Sequence, residues 1–145
     1  MNITAIHGLD RFVLAQEKDY ETALTEISYG KKITHWMWYI FPQIQGLGYS
    51  ETATYYGIQD LKEATAYFVH PVLGTRLLKI TKVLLEHADR SASEIFGSPD
   101  EMKLRSSMTL FATVPHADPV FQQVIHQFFN GESDQKTQRI LSLQT

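Results

Sequence analysis

The sequence contains no cysteine. Disulfides, thiol nucleophiles, iron–sulfur clusters and thiolate zinc sites are therefore excluded for this chain. Basic residues are not in excess either, because 13 Lys and Arg face 16 Asp and Glu, and the formal net charge is −3. This balance does not favour broad contacts with nucleic-acid phosphates, so we expect no nucleic-acid partner. The six histidines show neither HxxxH nor HExxH spacing, and we expect no metal site.

Long apolar runs are also missing. The longest one, from Trp36 to Phe41, is too short to cross a bilayer. Residues 1–8 lack the charged start and apolar run of a signal peptide, so we expect a cytoplasmic protein without a membrane partner. The chain has 145 residues, 43% of them hydrophobic, and shows no repeat or linker. We therefore predict a single domain over residues 1–145, with a core from about residue 9 to 141.

Apolar residues recur at helical spacing through most of the chain. One stripe runs from Leu9 to Ile27, where Gly30 can end a helix and Lys18–Asp19 offers a break into two helices. Alternation with a period of two is absent, and no hairpin turn of the Asn-Gly type separates two strand-like segments. The pattern predicts an all-α fold, a single multihelical domain of about seven helices.

Polar residues mark several predicted helix ends. Ser98–Glu101 combines an N-cap, a proline in the first turn and a reciprocal carboxylate. Asp118–Pro119 repeats this arrangement, and Asn130–Gly131 is typical of a helix end. We expect Ser133 to cap a last short helix that ends near Leu141.

Three blocks of the sequence resemble one known family. They are residues 11–16 (RFVLAQ), residues 30–50 with the segment HWMWYIFPQ, and residues 70–77 (HPVLGTRL), followed by segments at 95–97 and 103–111. Together they resemble the bacterial domain-of-unknown-function family 1810, over nearly the whole chain. The resemblance implies a multihelical fold and implies no established activity.

A second, shorter likeness concerns helical NADAR proteins, some of which hydrolyse N-glycosidic bonds in ribose phosphates. Ser50–Glu51 followed by Tyr55–Tyr56 is similar to their Ser-Glu pair at the start of an aromatic helix. Residues 102–111 are similar to their late helix, which contains a methionine before a phenylalanine.

The loop from Gly46 through Gly48 to Ser50 is a candidate binding element. Glycine allows positive φ and a close approach of the backbone to a ligand. Ser50 suits the N-cap of a helix beginning at Glu51, and free N–H groups at a helix start attract anions. The alternative is a tight turn with an ordinary cap, because the strand–helix context of a dinucleotide motif is missing.

Residues 35–41 are rich in aromatic side chains, and we predict a buried helical turn because a lone strand would lack a partner. Trp36 and Trp38 lie two residues apart and face different ways on a helix. One can pack in the core while the other stacks on a base or sugar in a cleft. Pro42 places Gln43 in an irregular segment, where binding residues are common. A core plug is the alternative for both tryptophans.

Two side chains are candidate catalytic groups. His35 has the chemistry of a general base near neutral pH. Glu51 is a carboxylate suited to acid–base or oxocarbenium chemistry, and a helix start favours its charged form. The alternatives are a histidine bonded to nearby backbone and an ordinary glutamate in a first helical turn.

Three further polar residues are candidates for binding an anion. Arg76 lies on a predicted helix, on a different face from the apolar stripe, and its guanidinium can clamp a phosphate or carboxylate. Lys103 and Ser107 are four residues apart and share a helix face. A structural salt bridge and a solvated face are the respective alternatives.

These candidates support two hypotheses about function. The first is a site for an anionic small molecule, namely a nucleotide, a ribose phosphate or an ADP-ribose-like ligand, without a resident cofactor. It extends to hydrolysis of an N-glycosidic bond if Glu51 or His35 reaches that bond. The second is a non-enzymatic helical module, in which an apolar face such as that of Phe128 and Phe129 binds a protein or a second copy. Motifs for serine hydrolysis and for NTP hydrolysis are absent from the sequence.

Overall fold

The computed structural model describes residues 3–144, with side chains from Gly8 onwards. Within these residues no strand forms, although an isolated parallel bridge joins Ile44 and Ile58. The all-α prediction is confirmed. The described helices number nine rather than about seven, because three short ones, α2, α3 and α6, add to six longer ones. The helices are α1 (Ile3–Tyr29), α2 (Met37–Ile40), α3 (Glu51–Tyr56), α4 (Leu61–Val69), α5 (Leu73–Leu85), α6 (Ala92–Phe96), α7 (Asp100–Ala112), α8 (Pro119–Phe129) and α9 (Gln135–Leu143). Among the described helices, none is both long and apolar enough to cross a membrane.

Helix α1 runs through Lys18 and Asp19 without interruption, so the predicted division into two helices is wrong. The apolar stripe continues past this point, because Tyr20 is buried and its hydroxyl donates to the backbone oxygen of Arg76 at 2.9 Å. Lys18 lies in solvent, and the Asp19 carboxylate accepts a hydrogen bond from the Tyr39 hydroxyl. The helix ends as predicted at residue 30, a glycine with φ of +80°.

The core is formed where α5, α7 and α8 pack together and against α1 and α4. Helix α5 buries one face completely, and its Leu73, Leu77, Ile80 and Leu84 are at most 1% exposed. Gly74 lets the start of α5 approach the end of α4 closely. A Cβ at this position would lie 1.9 Å from the backbone oxygen of Phe68, so only glycine fits.

Helices begin at both predicted places, but two predicted capping residues are wrong. Pro99 rather than Ser98 occupies the N-cap position of α7, and no side chain caps this helix. Asp134 rather than Ser133 caps α9, since its carboxylate accepts from the backbone N–H of Thr137.

The two predicted ends of α8 are confirmed. Asp118 caps α8, since its carboxylate accepts from the N–H of Val120, and Asn130 ends the same helix in a left-handed conformation.

A buried carboxylate joins α1 to the segment before α2. Glu26 is 8% exposed, and its oxygens accept four hydrogen bonds. The donors are the backbone N–H of Ile33 (2.7 Å), the N–H and hydroxyl of Thr34 (3.0 and 2.7 Å) and Nε1 of Trp36 (2.9 Å). Burial by itself raises the pKa of this carboxyl, but the hydrogen bonds to its charged form outweigh burial and lower the pKa to about 2.

We expect Glu26→Gln to destabilise the fold at pH 7. A pKa lowered from 4.5 to about 2 corresponds to about 3 kcal/mol of stability that is present above pH 4.5 and lost as the pH falls towards 2. Urea unfolding between pH 7 and pH 2.5 measures this contribution. The wild-type free energy of unfolding falls along that range, and the variant starts lower and falls less.

Glu17→Gln is the matched control, because Glu17 is an exposed glutamate on the same helix. It should leave the free energy of unfolding within about 0.5 kcal/mol of the wild type. A Glu26→Gln protein as stable as this control at pH 7 would contradict the anchoring role of Glu26.

Candidate functional site

A cavity of about 280 Å³ lies between the loop of residues 42–48, helix α3 and the first turns of α7 and α9. Its wall combines aromatic, cationic, hydroxyl and carboxylate side chains with glycine backbone. The lining residues are Trp38, Gln43, Ile44, Gly46, Leu47, Gly48, Ala53, Tyr56, Gly57, Pro99, Met102, Lys103, Ser106, Asp134 and Lys136.

Five of the residues selected from the sequence line this cavity. They are Trp38, Gln43, Gly46, Gly48 and Lys103. The first four belong to one segment that comprises α2 and the loop before α3, whereas Lys103 comes from α7, so the tertiary fold brings two separate blocks of the sequence together.

A short backbone pairing shapes the loop side of the cavity. The backbone oxygen of Gln43 accepts from the N–H of Ile58, and the N–H of Gln45 donates to the oxygen of Ile58, both at 2.8 Å. The Gln43 side chain is thereby held at the cavity wall. Gly46 then turns the chain with φ of +106°, a conformation that favours glycine. A Cβ on Gly48 would lie 3.2 Å from the Ala53 Cβ, so the loop packs tightly on α3.

The two tryptophans lie in different environments. Trp36 is 1% exposed, belongs to the core and donates to Glu26, so it does not line the cavity. Trp38 is half-buried and forms part of the cavity wall. The Lys103 ammonium lies 4.2 Å from the centroid of the Trp38 ring, which is a cation–π distance. An aromatic surface and a cation are therefore adjacent in the cavity.

One carboxylate holds this cation in place. Asp100 accepts from Lys103 at 3.0 Å through Oδ1 and pairs with Lys32 at 2.9 Å through Oδ2. Burial raises the pKa of Asp100, but the hydrogen bonds from Lys32 and Lys103 outweigh burial and lower it. Because Asp100 is shared between two cations, it does not fully neutralise the Lys103 ammonium beside Trp38.

The sequence analysis missed four polar lining residues, Ser106, Asp134, Lys136 and Tyr56. Asp134 can be recognised from the sequence as an N-cap, because aspartate is preferred at this position and its side chain can accept from the backbone N–H three residues later, that of Thr137. Tyr56 packs on Tyr39 with ring centroids 5.1 Å apart, and burial raises the pKa of its hydroxyl. No pattern in the sequence indicates that Lys136 faces the same cavity as Lys103.

Both candidate catalytic residues lie outside the cavity lining. Ser50 caps α3 as predicted, because its hydroxyl accepts from the N–H of Ala53 at 3.1 Å, but it is exposed. Glu51 follows it in the first turn of α3 and is also exposed. His35 is exposed, and its backbone oxygen accepts from the Tyr39 hydroxyl at 3.2 Å. The alternative interpretation, an ordinary cap with a first-turn glutamate, fits α3.

Arg76 and Ser107 are likewise not part of the cavity lining. The Arg76 guanidinium lies 5.3 Å from the centroid of the Tyr20 ring, between α1 and α5. Ser107, predicted to share a face with Lys103, is fully buried on α7. Ser106 lines the cavity with Lys103 in its place. Of His35, Gly48 and Arg76, only Gly48 lines this cavity, so the three residues do not form the common site that the small-molecule hypothesis expected of them.

A second cavity, of about 550 Å³, lies beside the starts of α4 and the ends of α7 and α9. It is larger, but its lining contains no aromatic ring and only one cation, Lys62, opposite one carboxylate, Asp60. Asp60 is already engaged as the N-cap of α4. The first cavity has the stronger set of converging groups for ligand recognition. Within the residues that the structure describes, no group of three or more His, Asp or Glu side chains is placed to hold a metal ion.

The described residues thus form a helical domain with a small cavity of mixed aromatic and polar character. A family model described as "Protein of unknown function (DUF1810)" matches residues 6–141, and the chain belongs to this family. The crystal structure of the conserved hypothetical protein Rv1873 from Mycobacterium tuberculosis is similar to this chain, with a TM-score of 0.90 and 44% sequence identity. That match covers 92% of this chain and 96% of the other.

No curated protein matches the chain. The family match and the structural match name neither a ligand nor a reaction, and they give no support to the likeness with NADAR proteins.

Proposed function

We propose that the protein binds a small phosphorylated sugar, either a nucleoside monophosphate or a ribose phosphate, in the cavity between α3, α7 and α9. The observation that carries this proposal is the pairing of Trp38 with Lys103 in the cavity wall, 4.2 Å from ring centroid to ammonium. An aromatic surface stacks on a base, and a neighbouring ammonium attracts a phosphate.

The charges of the lining support an anionic ligand. Lys103 and Lys136 contribute two positive charges, and Asp134 contributes the single carboxylate of the lining. Arg105 lies 3.9 Å from that carboxylate and partly compensates it. The cavity is thus locally positive in a chain whose net charge is −3, and a local field of this sign attracts anions.

The size of the cavity narrows the ligand class. Its volume of about 280 Å³ lies just below the usual range of ligand sites, about 300–1,000 Å³. This volume suits a mononucleotide or a ribose phosphate. An ADP-ribose-like ligand would extend out of the cavity into solvent, so we favour the smaller members of the predicted class.

The geometry favours binding over hydrolysis by the predicted catalytic pair. Glu51 and His35 are exposed and do not line the cavity, so neither is positioned to act on a bound N-glycosidic bond. The interaction-module hypothesis also loses its named surface, because Phe128 and Phe129 are half-buried and pack against the core.

We expect AMP to raise the melting temperature of the protein and Trp38→Ala to weaken its binding. AMP at ten times its Kd adds about 1.4 kcal/mol, or about 3–6 °C, in a thermal-shift measurement. Loss of the stacking surface costs about 1–3 kcal/mol, which is about 5- to 150-fold in Kd by titration calorimetry. Tyr29→Ala removes an exposed ring on α1 and serves as the control. Equal Kd values for wild type and Trp38→Ala would argue against the site.

A second comparison separates the cavity residues from the exposed candidates. Lys103→Gln removes the ammonium beside Trp38, and we expect it to raise the Kd for AMP about tenfold or more at low salt, because a charged hydrogen bond to phosphate is lost. Glu51→Gln changes an exposed side chain outside the cavity, and its Kd should equal that of the wild type. The reverse pattern would move the site to the start of α3.

A further inference from the structure

The two carboxylate oxygens of Asp134 have different surroundings. Oδ2 accepts three hydrogen bonds, from the Ser106 hydroxyl at 2.9 Å and from the hydroxyl and N–H of Thr137 at 2.6 and 3.2 Å. Oδ1 accepts no hydrogen bond from the residues that the structure describes, and its nearest cation is Arg105 at 3.9 Å. Asp134 lines the cavity, and Oδ1 is the one of its two carboxylate oxygens with acceptor capacity left for a ligand donor.

The position of Asp134 Oδ1 is fixed by the surrounding structure. The Asp134 side chain is 13% exposed, and it caps α9. Its backbone N–H donates to the Thr109 hydroxyl on α7 at 2.8 Å, so both α7 and α9 fix its position. Because this acceptor is already ordered, little side-chain conformational entropy is lost when a ligand donor binds to it.

The neighbouring charges select the kind of donor. Arg105 lies next to Oδ1, and Lys103 and Lys136 line the same cavity. These three positive charges repel a cationic ligand group, but they do not repel a neutral hydroxyl. A hydroxyl donor on a ligand that also carries an anionic group satisfies both features of the wall.

The geometry points to Asp134 Oδ1 as the acceptor for a sugar hydroxyl of the ligand. The inference rests on the proposed function and names the part of the ligand that distinguishes a ribose phosphate from other ringed anions. In this arrangement Lys103 binds the phosphate and Trp38 stacks on the base. Asp134 accepts a hydrogen bond from a ribose hydroxyl.

Asp134→Asn tests this role with little change to the fold, because asparagine is as good an N-cap as aspartate. The amide oxygen takes the capping position of Oδ2, and the amide NH₂ replaces Oδ1, so the cavity gains a donor where it had an acceptor. Asp118→Asn, at the N-cap of α8, is the matched control for the same exchange.

The probes are AMP and 2′,3′-dideoxy-AMP, which differ only in the two ribose hydroxyls. We expect wild type and Asp118→Asn to bind AMP about tenfold more tightly than the dideoxy compound, since a hydrogen bond to a carboxylate is lost. Asp134→Asn should bind the two with equal Kd. If that variant does not fold, Asp134→Ser keeps a capping hydroxyl and also removes Oδ1.

The outcomes separate this inference from the proposed function. Equal wild-type affinity for both probes, each weakened by Trp38→Ala, overturns the role of Asp134 and leaves the site in place. A preference for AMP that persists in Asp134→Asn and Asp134→Ser also overturns it. Failure of both probes to bind the wild type overturns the proposed function together with this inference.

Discussion

Four hydrogen bonds to the Glu26 carboxylate determine the path of the chain between α1 and α2. They place Trp36 in the core, and Trp36 in turn starts α2, since its backbone oxygen accepts from the N–H of Ile40 at 3.2 Å. Trp38 and Gln43 follow within a few residues and reach the cavity wall from this anchored start. Because a buried carboxylate is stable only when its hydrogen bonds are made, the segment has one favourable conformation.

The cavity depends on a second charged arrangement. Asp100 holds Lys103 beside the Trp38 ring and is itself paired with Lys32. An acidic chain thereby keeps a cation available at one wall, and the Asp134 carboxylate, compensated by Arg105, supplies an acceptor at the same cavity. A site that contains a cation, an aromatic ring and an ordered acceptor can distinguish ligands by charge, shape and hydroxyl content.

Local patterns predicted the helices and part of the site. The glycine at residue 30, Asp118 and Asn130 act at helix ends within one turn of their own position, so their roles follow from neighbouring residues. Ser98 does not act as the predicted cap, because Pro99 occupies the N-cap position of α7. Trp38, Gln43, Gly46 and Gly48 lie in the cavity wall, whereas Arg76 lies beside Tyr20.

The helical class and the family can be predicted from the linear chain, because a period of 3.6 and a set of local blocks are properties of neighbouring residues. Which polar residues share the cavity depends instead on how the helices pack. Helical periodicity gives a face but does not say which other helix that face meets, so Ser106 rather than Ser107 lies beside Lys103. Asp134 is a second example. It lines the cavity because α9 packs against α7, which places this helix cap beside lining residues that are distant in the sequence.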